Sequence, residues 1–291
     1  MMRASRFFGG LLWILPVVAA QVASGDEAAP PPVGVWTKKA KLGIALTQSS
    51  VSQNWSGDEV GTVSWLSTAD FLAESQVAPR LKLSNTLVLS FGQLHQQDVK
   101  RDNWLAPQKS ADKIDYDGVA RFTLGHWLDP FAAITFDSQF FQKVGGVSQA
   151  LNPWQVGESV GIARAVYDTP SRGLVSRFGF ALRQRHDHFA VERSTNDGGL
   201  EWRTTGRFSN GEDRTIFNTE LTLFQAVFFS DTASDPAHRW KTIDVRWQNK
   251  LSNKINKWLA FNLYAEYLFD DQLSRAGQFK QSLGFGVTAA L

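Results

Sequence analysis

From Ala40 to the C-terminus this chain alternates apolar and polar residues with a period of two, and many of the polar positions carry charge. Such a period puts successive side chains on opposite faces of an extended strand. In the stretch 81–91, Leu81, Leu83, Leu87, Leu89 and Phe91 oppose Lys82, Ser84, Thr86 and Ser90. The last stretch, FKQSLGFGVTAAL, sets Phe279, Leu283, Phe285, Val287, Ala289 and Leu291 against Lys280, Ser282, Gly284, Gly286 and Thr288. A helix cannot present these two faces, so the sequence commits to β structure.

About a dozen such segments follow one another, separated by polar turns, as in membrane barrels built from alternating segments of about ten residues. The 215–228 stretch shifts phase within the segment, which predicts a bulge. The fold class expected is all-β: an antiparallel up-and-down transmembrane β-barrel of about twelve strands, an even number as single-chain barrels require. It would form one domain over residues 36–291. The competing architecture is a secreted soluble β-sandwich that binds carbohydrate or envelope polymer. A sandwich also permits one polar face per strand, but would bury the large aromatics. Here Trp36, Trp127, Trp154, Trp240, Trp258, Tyr267 and Phe269 stand near segment ends, where a membrane barrel places its interfacial girdles.

The N-terminus supports export. Arg3 and Arg6 precede an apolar run, Phe7–Val18, and small residues follow at Val18/Ala20 and Ala23/Gly25. That is the layout of a signal peptide, and the run is too short to span a bilayer as a helix. Residues 1–25 are expected to be the signal peptide and 26–35 a stiff, extended Pro-rich tail. The 291 residues contain no cysteine, which excludes a disulfide framework and thiolate metal sites. A net charge of +2 with interspersed signs argues against a nucleic-acid surface.

The non-apolar faces nominate the interior. Asp115, Asp117, Arg121, Asp137, Arg177, Arg183, Arg185, Glu201, Arg203, Arg207, Asp244, Arg246 and Glu266 are expected to face a lumen. Leu259, Phe261, Leu263, Leu283, Phe285, Val287 and Leu291 are expected to face lipid. The arginine series 177, 183, 185, 203 and 207 would give one wall a positive field if unpaired. Mutual pairing with Glu201, Glu220 and Asp244 is the weightier expectation. His186 and His188 flank Asp187 and are the weak candidates for a metal site, outweighed by their reading as a polar turn that lacks further ligands. Asp112, Asp115, Asp117, Asp129 and Asp137 would make a calcium or acid–base cluster only if the arginines did not pair with them. None of the five histidines is set against a serine by a motif, and no G-x-S-x-G occurs. No catalytic residue and no cofactor is therefore nominated, and an outer-membrane hydrolase is the lesser alternative.

Several strings resemble a domain-of-unknown-function family of Gram-negative outer-membrane β-barrel proteins. The stretch Leu46–Glu59 (LTQSSVSQNWSGDE) carries an Asn54-Trp55 turn with Gly57. Phe91-Gly92 ends a strand, Lys109–Gly118 reads KSADKIDYDG, and Phe136–Phe140 reads FDSQF. The resemblance covers roughly residues 36–160. The hairpin Arg246–Leu291, with Phe269-Asp270-Asp271 at its turn, is similar to a salt-response family of small outer-membrane barrels. Both resemblances imply fold and location rather than chemistry. The expected function is a passive pore or structural envelope component in the Gram-negative outer membrane. Its expected partners are membrane lipid, lipopolysaccharide, the barrel assembly machinery acting on the C-terminal strand, and small solutes or ions.

Overall fold

The computed structural model describes residues 32–49, 60–98, 103–125, 127–169, 171–210, 213–233, 235, 237–256 and 259–290. Among them lie fifteen strands: β1 (Trp36–Ser49), β2 (Thr62–Ala78), β3 (Leu81–Asp98), β4 (Asn103–Trp104), β5 (Gln108–Phe122), β6 (Asp129–Ser138), β7 (Phe141–Val144), β8 (Val147–Ala150), β9 (Trp154–Asp168), β10 (Arg172–His186), β11 (Ser194–Ser209), β12 (Thr215–Phe229), β13 (Asp244–Lys254), β14 (Leu259–Asp270) and β15 (Ser274–Ala290). A 3-10 turn, Arg239–Lys241, precedes β13.

Twelve of these strands close a ring in the order β1-β2-β3-β5-β6-β9-β10-β11-β12-β13-β14-β15, with β15 returning antiparallel to β1. β4 adds a short ribbon to the end of β3, and β7–β8 is a separate hairpin. The expected closed up-and-down barrel is what forms, and the sandwich is set aside because one sheet closes on itself. Several strands exceed the length expected from the sequence. β3 runs on through Leu94–Asp98, beyond the 81–91 stretch, and β5 begins at Gln108. The phase shift in 215–228 is a bulge: Gly198 pairs with Phe228 and Gly199 with Ala226, so Val227 is the extra residue.

Connections alternate in length around the ring. At one end they are short, at 79–80, 123–128, 169–171, 210–214 and 255–258; at the other most are longer, as at 50–61, 139–153 and 230–243. That asymmetry is characteristic of outer-membrane barrels.

The outward face is apolar. Ile44, Val160, Phe178, Leu200, Trp247, Leu283, Phe285 and Val287 are all exposed. Glu158 and Arg164 interrupt this band on β9, exposed beside Val160 and Ile162. Arg164 lies 4.7 Å over the exposed Trp127 ring at the short-turn end, a cation–π contact that suits an interfacial aromatic. Leu259, Phe261 and Leu263 register opposite Val287, Phe285 and Leu283, and the Phe261 and Phe285 rings lie 5.5 Å apart. Leu291 lies outside the described residues, as do Trp258 and the Asn54-Trp55 turn. Trp240 departs from the girdle expected of it. It folds from the 230–243 connection onto the buried inner side chains Ala181, Phe224 and Ala226.

Candidate functional site: a barred lumen

The inner face is the reverse of the outer. Asp117 and Arg177 stand on β5 and β10, three steps apart round the ring, yet Arg177 Nη2 donates to both Asp117 oxygens at 3.0 and 2.8 Å. Arg203 on β11 lies 3.5 Å from the same carboxylate, and 3.9 Å from both Glu201 and Glu220. Arg246 on β13 reaches Asp137 on β6 at 3.0 Å, five steps away, and Glu266 on neighbouring β14 at 3.0 Å. Side chains that meet across so many strands must cross the interior.

The longest reach is diametric. Lys113 on β5 and Gln248 on β13 are six strands apart in either direction, and Lys113 Nζ donates to Gln248 Oε1 at 3.2 Å. A circular ring of twelve strands at ~4.8 Å spacing is roughly 18 Å across before tilt widens it. An extended Lys, an extended Gln and one hydrogen bond span only roughly 14 Å. The cross-section is therefore oval, drawn in along the line from β5 to β13. Its narrow ends fall at β9–β10 and β15–β1.

Glycines occupy both narrow ends. Gly161 and Gly179 register opposite each other on β9 and β10, and a Cβ at Gly161 would lie 2.2 Å from the Phe178 carbonyl oxygen. At the other end, a Cβ at Gly286 would lie 2.6 Å from the Ile44 carbonyl oxygen. Glycine marks tight bends in barrel walls because the neighbouring backbone can then come closer than a side chain allows.

Further layers sit above and below the central bar. Toward the long-loop end, Arg183 is held by Asp197 and Asp244 at 2.7 and 2.9 Å and lies 3.5 Å over the Phe224 ring. Trp240 closes over that layer. Arg185 donates to Gln155. Toward the short-turn end, Arg121 sits between Asp129 and Asp168, and Lys82 joins Asp168 and Glu74. Lys250 bridges to Asp70 on β2. Arg207 pairs with Asp213 in the 210–214 turn at 3.0 Å. The Asp213 carboxyl is held below the ordinary carboxylate range by a hydrogen bond from Ser209 and by the Arg207 charge.

The structure thus brings twelve of the thirteen nominated charges into ion pairs and leaves Arg185 with an amide partner. It does not make the arginine series a positive wall. In the central belt, Lys113, Arg177, Arg203 and Arg246 meet six carboxylates: Asp115, Asp117, Asp137, Glu201, Glu220 and Glu266. Sequence reading missed Lys113, Gln248, Lys250 and Asp70 as bridging groups. Their period placed them inward, but nothing in a single strand tells which opposite strand it will touch.

The weak metal candidates diverge. His186 Nδ1 is 3.0 Å from Ser194 Oγ, and its ring stacks on Trp154. His188 turns edge-on to Phe189. Among the described residues, no group of three or more His, Asp or Glu side chains is disposed to hold a metal.

The long-loop rim is laced together on one flank. Asn152, 1% exposed, donates to Gln142 and Asp187 and accepts the His188 N–H. Asp112 accepts the Phe140 and Phe141 N–H groups.

This architecture defines a closed β-barrel of the outer-membrane type. Residues 46–143 match a family described as "Protein of unknown function (DUF3078)", within the span of the resemblance noted in the sequence. The salt-response similarity of the C-terminal hairpin stays a resemblance. The COG4313 outer membrane channel from Pseudomonas putida F1 is similar over 93% of this chain and 99% of its own, with 12% identity and a TM-score of 0.44. The translocator domain of the autotransporter NalP from Neisseria meningitidis gives 10% identity, coverage of 87% and 86%, and a TM-score of 0.35. Salmonella typhi OmpF, in complex with daunomycin, gives 8% identity, coverage of 88% and 97%, and a TM-score of 0.28. No curated protein matches the chain.

Proposed function

We propose that this protein spans a Gram-negative outer membrane as an envelope barrel whose axial path is barred by its own side chains. The diametric Lys113–Gln248 contact carries the reading, because it divides the lumen at its waist. The outward apolar band supports a membrane setting, since a soluble protein does not leave so continuous an apolar surface wet. The reading is structural rather than catalytic. Residues 1–25 would direct export and be removed. Lipid and lipopolysaccharide would pack on the outer face, and the C-terminal strand would be read by the assembly machinery.

Single-channel recording in planar bilayers tests it. The wild-type barrel should conduct little, and Lys113→Ala combined with Arg246→Ala should raise conductance, with cation preference from the exposed carboxylates. Large, steady wild-type conductance would overturn the reading.

A further inference from the structure

Among the described residues, the wall is incomplete at its closing seam. β1 and β15 share only five residue pairs, Lys41–Ala45 with Gly286–Ala290. Continuing that register would set Leu46–Ser49 against Ser282–Phe285, but those residues do not pair. Among the described residues, Leu46–Ser49 of β1 pair only with β2, and Ser282–Phe285 of β15 pair only with β14. Other neighbours in the ring pair along eight residues or more, and β10–β11 along fifteen. The gap lies in the long-loop half of the wall.

Solvent reaches both faces of this region. Outward Phe279 and Leu283 are exposed, and so are inward Gln278, Lys280, Ser282, Thr47 and Ser49. Unpaired main-chain groups are poorly tolerated in hydrocarbon, so the edges demand polar partners or access to water. Lys280 stands on the inner side of the gap and has no ion pair within 4.0 Å among the described residues. Its cross-strand neighbour Glu266 is engaged by Arg246, Gln248 and Tyr264.

We infer that this seam is a lateral slot that takes an amphiphile with an anionic head and an acyl tail from the outer leaflet. Lys280 and the free strand edges hold the head. Leu46, Leu283 and Phe285 flank the tail on the outer face, and inward Gly284 leaves room for the head behind them. A second copy docked β15 to β15 fits less well. Two barrels in one membrane present their β15 edges parallel to each other, whereas each strand of this ring pairs antiparallel. The inference goes beyond the barred lumen but rests on it, since an open axis would make a side entrance redundant.

The chain has no cysteine, so a single reporter is clean. In liposomes, bimane on Ser282→Cys should be quenched strongly by doxyl-labelled stearate, while bimane on inward Thr222→Cys in the ion-paired half should not. Lys280→Ala should weaken the stearate effect by about five-fold, the scale of one lysine acting on an anionic lipid. Thr47→Cys, across the slot, serves as the second reporter. Equal quenching at 282 and 222 would overturn the slot. Equal quenching by doxyl-phosphatidylcholine would overturn the anionic head, and disulfide-linked dimers of the unlabelled Ser282→Cys variant would make the occupant a second copy. Conductance of the same preparation reports separately on the axial reading.

Discussion

The two narrow ends of the oval use the same device and reach opposite outcomes. At β9–β10 the Gly161–Gly179 approach bends the wall, and fourteen residue pairs keep it shut. Small inward side chains there, Gly157, Ser159, Gly161 and Ala163, leave space that Arg177 and Arg183 fill. At β15–β1, Gly286 permits a similar approach, but pairing stops after five residues. Among the described residues, no ion pair is anchored on β1 or β15 beside inward Gly284, Ser282 and Thr47. The lesson is that glycine gives a barrel wall permission to curve, while hydrogen bonds and the charges packed behind the curve decide whether it stays closed.

The sharpest way to break this contrast is to remove a charge from each end. Arg177→Met takes both of its hydrogen bonds from inward Asp117, leaving that carboxylate only Arg203 at 3.5 Å, and should cost about 3–5 kcal/mol. Lys280→Ala leaves no partner behind and should stay within about 0.5 kcal/mol. Urea unfolding in detergent micelles measures both, and equal costs would erase the distinction. Next in size, Phe261→Arg should cost roughly 2–4 kcal/mol as a lipid-facing cation, while Asn262→Arg one residue on should be nearly neutral. Heat-modifiable gel migration reads their assembly, and the reverse order would mean that the two faces are exchanged. A finer comparison of the two bends is Gly161→Ala against Gly286→Ala. The first is locked on both sides and should cost about 1–3 kcal/mol; the second can relax into the gap and should cost less. The smallest effect belongs to the half-exposed Arg207–Asp213 pair, worth at most about 0.5 kcal/mol. Because the Asp213 carboxyl sits lower in the folded state, its contribution is complete above about pH 4, the unfolded value, and is lost as pH falls through the folded value. Asp213→Asn should flatten that part of the stability–pH curve.

Much of the architecture was legible because period-two alternation is local. Leu81–Phe91 declares its two faces without reference to any other strand. The bulge at Val227 was legible for the same reason, as a break in phase. Trp240 misled because a tryptophan near a strand end is placed by its loop, and this loop folds inward onto Phe224. The bar across the lumen was illegible in principle: Lys113 and Gln248 are 135 residues apart, and only the number of strands between them makes them opposite. The short seam was hidden too, since residues 282–285 alternate as regularly as those that pair.

Asn152 has a consequence of a different kind. Its buried amide ties the 139–153 connection to the turn after β10, so those loops have already surrendered their conformational entropy to the fold. Ordering a free loop costs about 1–2 kcal/mol per residue, a penalty that a binder at this flank of the rim does not face. The outer surface there is preorganised, so loop ordering adds nothing to the cost of any contact made on it.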